Sequence, residues 1–241
     1  MIQIFNAFSR AFKDLFRLKV LWIVLWPTLA ASMLWLVIGA IFWNSFSVWI
    51  AEGLSMMGME DWIAGMQREW VASTVQIGLY LILFLLLVVV TTLIITAIFS
   101  MPALIHIVAK RYYPELKYEY GGSVVGSIVN AMIALIVFIV IWIITIPLWL
   151  IGIGVVVPFV AAAYLNQQLF RYDALSEHAN RRELKILLTT DRRSLWGLGL
   201  LTGSLQFIPL INLIAPVLAA LAFIHFELAR LSKARSNSNQ F

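Results

Sequence analysis

Long apolar segments separated by short polar ones make up most of this chain. The apolar segments lie at 20–50, 71–108, 123–170 and 195–231. The first two exceed the roughly 20 residues that cross a bilayer as a helix, so each predicts one long transmembrane helix. In the second of them, Ser100–Pro102 predicts a break, because proline interrupts helical hydrogen bonding. The polar stretch 232–241 predicts a flexible tail.

The first 19 residues carry phenylalanines at helical spacing, at positions 5, 8, 12 and 16. This stripe predicts an amphipathic helix over 1–19 that lies on the membrane surface. Packing of the same helix against the protein's own cytosolic part is the alternative.

The last apolar segment predicts a hairpin, because Pro209 and Pro216 bracket a short turn around Asn212. Its arms, 195–208 and 217–229, have 14 and 13 residues. Each reaches only about 20 Å as a helix, which is less than the bilayer core of about 30 Å. We therefore expect a re-entrant hairpin over 195–231. Asn212 either holds the turn or touches a permeant species, and we favour the turn.

An earlier segment repeats this pattern, with Pro147 and Pro158 in the stretch IPLWLIGIGVVVPFVAAA. It predicts a first hairpin over 123–170, also re-entrant, although its longer leading arm leaves a full crossing open. The fold class expected from these patterns is an all-α integral membrane protein. It has two long transmembrane helices, two proline-broken hairpins and an N-terminal amphipathic helix in a single domain over 1–231.

Composition agrees with a membrane protein, because 62% of the residues are hydrophobic and only 12% are charged. The absence of cysteine excludes disulfides and thiolate chemistry, and the three scattered histidines suggest no metal site. No catalytic motif is present, so we expect neither an enzyme nor a cofactor. Asp173 is expected to cap a helix in the polar segment 171–194, with Glu177 and His178 on its solvated face. His225 and Glu227 are expected to snorkel at the membrane interface, which leaves the spans essentially without acidic residues.

Basic residues are unevenly distributed among the polar segments. Four precede the first span, three lie in 109–122, six in 171–193 and three after 226, whereas 51–70 has one. The positive-inside rule therefore places 51–70 in the periplasm and both termini in the cytosol. The net charge of +5 belongs to these flanking segments and does not indicate nucleic-acid binding.

Several motifs together resemble the CysZ-like sulfate permeases, which are grouped with etoposide-induced-protein-type membrane proteins. They are Trp26-Pro27, the IPL, GIG and VP elements of 146–158, YDALSEHA at 172–179, Gly203 and IPLINLIAP at 208–216. The resemblance implies a bacterial inner-membrane protein with two long helices and two half-penetrating hairpins. It also implies homo-oligomers and sulfate uptake for cysteine synthesis.

The resemblance further implies an anion site near the cytosolic start of the first long helix. The matching stretch here is Leu15–Lys19, and Leu21 and Trp22 stand where paired arginines are expected. Arg17 and Lys19, with Arg10 nearby, are therefore the candidate anion-binding residues. Arg192 and Arg193 before the second hairpin are a secondary basic pair. For both sets, plain positive-inside charge is the alternative.

Two functions remain open from the sequence. The first is a CysZ-like channel or permease for sulfate or a similar oxyanion, in contact with membrane lipid. The second is a non-transporting membrane scaffold or assembly factor that binds lipid or a partner protein through 171–193. The repeated broken hairpin favours the transporter, and the scarcity of charge along the spans favours the scaffold.

Overall fold

The computed structural model describes residues 2–42, 69–150, 152–209 and 211–238, together with positions 48, 52, 55, 56 and 58. Within these residues every regular element is a helix, which confirms the all-α class. Most of the predicted periplasmic loop 51–70, and the last three residues of the predicted tail, lie outside the described residues.

Nine α-helices are described. They are α1 Ile2–Leu15, α2 Leu18–Ile41, α3 Glu69–Tyr112, α4 Val124–Ile144, α5 Ile146–Leu150, α6 Val157–Ser176, α7 Arg181–Thr189, α8 Arg192–Ser204 and α9 Ala215–Ser238. Short 3-10 helices lie at Ile153–Val156, Leu205–Phe207 and Ile211–Leu213.

Four stretches of the described helices are long and apolar enough to cross a membrane. They are Leu18–Ile41, Val124–Ile144, Ile153–Ser176 and Ala215–Asn237. The 44-residue helix α3 contributes a shorter apolar stretch, Tyr80–Thr92, by the same criteria. Only 11% of the first stretch and 6% of the second are buried by protein, against 78% of the fourth. The apolar surface of α2 and α4 is therefore available to lipid, whereas α9 is a core helix.

The chain forms two compact units. The first comprises Met1–Leu21 and Ser100–Phe241. Within it, α9 packs against α1, α6 and α8, and α6 also packs against α4. The second unit comprises Trp22–Phe99. There the indole N–H of Trp35 donates to the hydroxyl of Thr91 at 2.9 Å.

Glycine permits the closest helix contact of the first unit, between α8 and α6. A Cβ atom at Gly199 would lie 2.6 Å from the backbone oxygen of Ala163, and one at Gly203 would lie 3.1 Å from its nitrogen. Any larger residue at position 199 has to push the two backbones apart.

The predicted hairpin prolines lie at the helix breaks. Pro147 lies in the short α5, Pro158 is the second residue of α6, Pro209 separates two 3-10 helices, and Pro216 is the second residue of α9. The expected 13-residue downstream arm of the second hairpin is wrong, because α9 has 24 residues. At about 36 Å it is long enough to cross the bilayer core. Re-entrance of the two hairpins therefore stays a prediction.

Three local predictions are corrected. Helix α3 continues through Pro102, because the apolar turns on both sides of the proline keep the helix intact. Asp173 lies inside α6, and the cap in this segment is Asn180, which forms a capping box with Glu183 at the start of α7. The tail is helical through Ser238, since Arg235 pairs with Glu183 at 2.8 Å and anchors the end of α9.

Candidate functional site

A buried ionic network holds α1 against α9. The Oδ1 atom of Asp14 accepts a hydrogen bond from the Tyr112 hydroxyl at 3.1 Å and lies 3.0 Å from Nε of Arg17. Its Oδ2 atom lies 2.9 Å from Nε2 of His225. Asp14 and His225 are each only 1% exposed. The carboxylate thus joins α1, the end of α3 and α9 at one point.

The sequence-predicted role of Arg17 is changed by this contact. Its guanidinium is paired with Asp14, so part of its charge is already balanced inside the protein. Lys19 is exposed in the first turn of α2. Arg10, the third predicted residue, lies on α1 and enters a separate feature, a cleft beside the network.

This cleft lies between α1 and α9 and has a volume of about 200 Å³. Its described lining residues are Gln3, Asn6, Ala7, Arg10, Tyr113, His225, Phe226, Ala229, Arg230 and Lys233. Three of them are permanent cations at neutral pH, two are amides, and none is acidic. Since one water occupies about 30 Å³ of liquid, the cleft has room for a small anion with several waters. Its charge favours an anionic ligand.

The three cations of the cleft are held differently. Arg230 is 9% exposed, pairs with the buried Glu227 at 2.9 Å, and donates to the carbonyl oxygens of Leu187 and Thr190 at 3.2 Å. Its positive charge is therefore shared with the protein. Arg10 lies 5.6 Å above the ring of Tyr112 and is exposed, as is Lys233. These two side chains, one from each wall, are the cations that a ligand would meet first.

The family model described as sulfate transporter CysZ/etoposide-induced protein 2.4 matches residues 7–216 of the chain. The protein belongs to this family. The match covers most of the helices described above, from α1 to the second residue of α9, so the CysZ-type resemblance of the sequence motifs is confirmed. No curated protein and no solved structure matches the chain.

For this member of the sulfate transporter CysZ/etoposide-induced protein 2.4 family, the match ends before the α9 wall of the cleft. Arg10 lies inside the matched residues, whereas His225, Arg230 and Lys233 lie beyond them. Membership in the family therefore establishes a sulfate-transporter-like membrane protein without assigning a role to this wall.

The remaining predicted site residues lie elsewhere. Arg192 and Arg193 are exposed in the first turn of α8. Asn212 is exposed in the 3-10 helix Ile211–Leu213, where its backbone N–H donates to Ile208 at 3.0 Å. Pro147, Pro209 and Pro216 are exposed and Pro158 is half-buried. None of these residues is among those that line the cleft.

A second cluster surrounds His178, which the sequence had placed on a solvated face. That prediction is wrong, because His178 is 1% exposed and its ring lies 4.3 Å from the ring of Tyr118. The hydroxyl of Tyr118 lies 3.1 Å from Nδ1 of His106. Burial, together with the nearby charges of Arg235 and His106, lowers the pKa of His178 to about 4. Burial raises the pKa of the adjacent Glu177.

Sequence reasoning missed Asp14 and assigned His225 and Glu227 to the interface. Both α9 residues are buried, at 1% and 0% exposure, so the snorkelling interpretation is wrong, as is the expectation of spans without acids. One signal was present in the sequence. Asp14 follows Ala7 and Ala11 at helical spacing, on the buried face of α1. An acid on the small-residue face of an amphipathic helix indicates a buried partner.

Proposed function

We propose that this protein transports sulfate or a similar oxyanion, and that the cleft between α1 and α9 binds the anion on the cytosolic side. The observation that carries the proposal is the lining of the cleft, with three cations, two amides and no acid among its described residues. Cationic donors of this kind form charge-assisted hydrogen bonds with oxyanions. Family membership and the four candidate spans support transport.

The proposal extends to the cellular setting and the assembly. The protein lies in the bacterial inner membrane with both termini in the cytosol, as the distribution of basic residues predicts. It forms a homo-oligomer in which hairpin tips carrying Asn212 meet around a polar path. Arg17 and Lys19, at the start of α2, draw anions toward the cleft.

The experiment is uptake of labelled sulfate into proteoliposomes that contain the purified protein, with selenate and chloride as competitors. We expect saturable uptake that selenate inhibits and chloride does not. Arg10→Ala should raise the half-saturating anion concentration about tenfold or more, because one hydrogen bond to a charged group is lost.

The matched control is Arg182→Ala, since Arg182 is an exposed arginine of α7 that does not line the cleft. It should leave uptake unchanged. Equal effects of the two variants would remove the cleft from the proposal. Absence of uptake of every oxyanion by well-folded protein would reject transport.

The scaffold is the second candidate, and one observation favours it. Five basic side chains of α7 and α8 are exposed, at positions 181, 182, 185, 192 and 193. Such a surface attracts anionic lipid headgroups. If no uptake is seen, salt-sensitive binding of vesicles with and without anionic lipid tests this role, with the five positions changed to glutamine as the comparison.

A further inference from the structure

The wall of the cleft contains one polar atom without a partner. Among the described residues, Nδ1 of His225 is buried and accepts or donates no hydrogen bond, while the ring itself lines the cleft. Its other nitrogen, Nε2, is bound to Asp14. Buried polar atoms are nearly always hydrogen-bonded, so a vacant one on a cleft wall indicates a position where a ligand supplies the partner.

The network around Asp14 determines what this nitrogen offers. An ionised carboxylate only accepts hydrogen bonds, and Asp14 already receives the Tyr112 hydroxyl and the Arg17 guanidinium on Oδ1. The Nε2 atom of His225 must therefore carry the proton that it donates to Oδ2. In the neutral ring Nδ1 is then a hydrogen-bond acceptor.

The charges around the ring favour its neutral form. From α1 it faces Asp14, Arg10 and Arg17, from the end of α3 Tyr112 and Tyr113, and on α9 itself Glu227, Arg230 and Lys233. Four of these groups are cations and two are carboxylates, and both carboxylates already have an arginine partner. A further positive charge on a buried ring in this setting is unfavourable.

On the basis of the oxyanion transport proposed above, on which this inference rests, we infer that His225 makes the cleft select oxyanions that carry a proton. Hydrogen phosphate and hydrogen arsenate are the class, and fully deprotonated sulfate and selenate are the rejected analogues of similar shape. The cations of the cleft attract both classes. Only a protonated oxyanion can donate an O–H to Nδ1, whereas an oxygen of sulfate would meet the nitrogen lone pair with no hydrogen between them.

The physical basis is the asymmetry of buried hydrogen bonds. A site built to pair with a ligand's hydrogen discriminates strongly against an analogue that lacks it, because the buried group of the site is left unpaired. The α9 wall lies beyond the residues that match the family model, so this selectivity is a property of this chain's own residues.

The test is equilibrium binding of phosphate, arsenate, sulfate and selenate to the purified full-length protein at neutral pH. The protein is held in nanodiscs of phosphatidylcholine, whose phosphodiester carries no proton, and a parallel set with phosphatidic acid shows whether a lipid phosphomonoester competes for the site. We expect phosphate and arsenate to bind the wild-type protein about tenfold or more tightly than sulfate and selenate.

Variants separate selection from charge. His225→Phe should bring the affinity ratio of the two classes close to one, and His225→Gln, whose amide can donate to Asp14 and offer an oxygen, should keep part of it. Arg10→Ala should weaken all four anions alike. His178→Phe is the matched control, because it changes another buried histidine that does not line the cleft, and it should keep the wild-type ratio.

The outcomes are distinct. Equal or tighter binding of sulfate by the wild-type protein overturns the selectivity while leaving oxyanion transport intact, and this measurement needs no variant to fold. A wild-type ratio retained by folded His225→Phe overturns the role of His225; if that variant does not fold, an unchanged ratio in His225→Gln together with one in His225→Asn does the same. Absence of binding of all four anions rejects the transport proposal, and the selectivity with it.

Discussion

At the scale of single residues, burial of charge distinguishes α9 from the other helices. Its Glu227 and His225 are hidden from solvent, and each has a specific partner, Arg230 at 2.9 Å and Asp14 at 2.9 Å. Buried ionisable groups persist when they are paired and hydrogen-bonded, and removing one partner costs about 3–5 kcal/mol. These pairs lie beside the cleft, so they hold the two walls on which a ligand would rest.

Protonation of His178 provides a prediction at the same scale. Its pKa is lowered to about 4 in the folded protein, whereas an exposed histidine titrates near 6.5. Between these values the unfolded chain binds a proton that the folded protein does not bind. Stability is therefore complete above about pH 6.5 and falls as the pH decreases toward 4, by about 2 kcal/mol between pH 7 and pH 5.

Thermal unfolding in detergent over this pH range measures the effect. His178→Phe keeps a ring against Tyr118 and should flatten the profile between pH 5 and 7. His106→Gln should retain most of the slope, because burial of His178 is the first cause of its lowered pKa. A slope that survives in His178→Phe would assign the pH dependence to other groups.

At the scale of elements, the contact of α8 with α6 depends on glycine. Gly199 faces the backbone oxygen of Ala163 at a distance that leaves no room for a Cβ atom. The second hairpin thus packs against the first through backbone atoms, and the hairpin prolines only set where the helices begin and end.

Gly199→Ala should destabilise the protein by about 1–3 kcal/mol, since the added methyl group overpacks a backbone contact. The control is Gly39→Ala in α2, where nothing lies within 4 Å of the added Cβ atom. It should be neutral or stabilise by about 0.5–1 kcal/mol through helix propensity. Unfolding temperatures of the two variants test the contact, and a similar shift in both would contradict it.

At the scale of the whole molecule, the open structural question is how the hairpins sit in the bilayer. Helix α9 is long enough to cross, yet α8 has only 13 residues before its 3-10 extension. The re-entrant arrangement that we propose keeps both tips away from the periplasm. The chain contains no cysteine, so single cysteines can be introduced without altering native thiols.

We predict that Val155→Cys and Asn212→Cys, at the two tips, resist a membrane-impermeant maleimide added from outside. Met56→Cys should react from that side, and Lys185→Cys in α7 should react only in inverted vesicles. Labelling of either tip from outside would show that its hairpin crosses fully. Labelling of position 185 from outside would reverse the predicted orientation.

Much of the fold was predictable from local pattern. Long apolar runs specify spanning helices by length, the phenylalanine stripe specifies the face of α1, and the prolines mark the ends of hairpin helices. The capping position was less accessible, because Asp173 and Asn180 are both acceptable caps and packing of α6 decides between them. The length of α9 was also missed, since the polar residues that suggested an end are satisfied by partners from other helices.

The sequence by itself determined that this is a helical membrane protein of the CysZ type, because hydropathy, motif and charge distribution are properties of short stretches of chain. It also placed Arg10 among the anion-binding candidates. Only the tertiary structure decided that Arg17 pairs with Asp14, and that Arg10 shares a cleft with His225 and Lys233. These residues are more than 200 positions apart along the chain, and no local rule of spacing or propensity predicts which helices pack together.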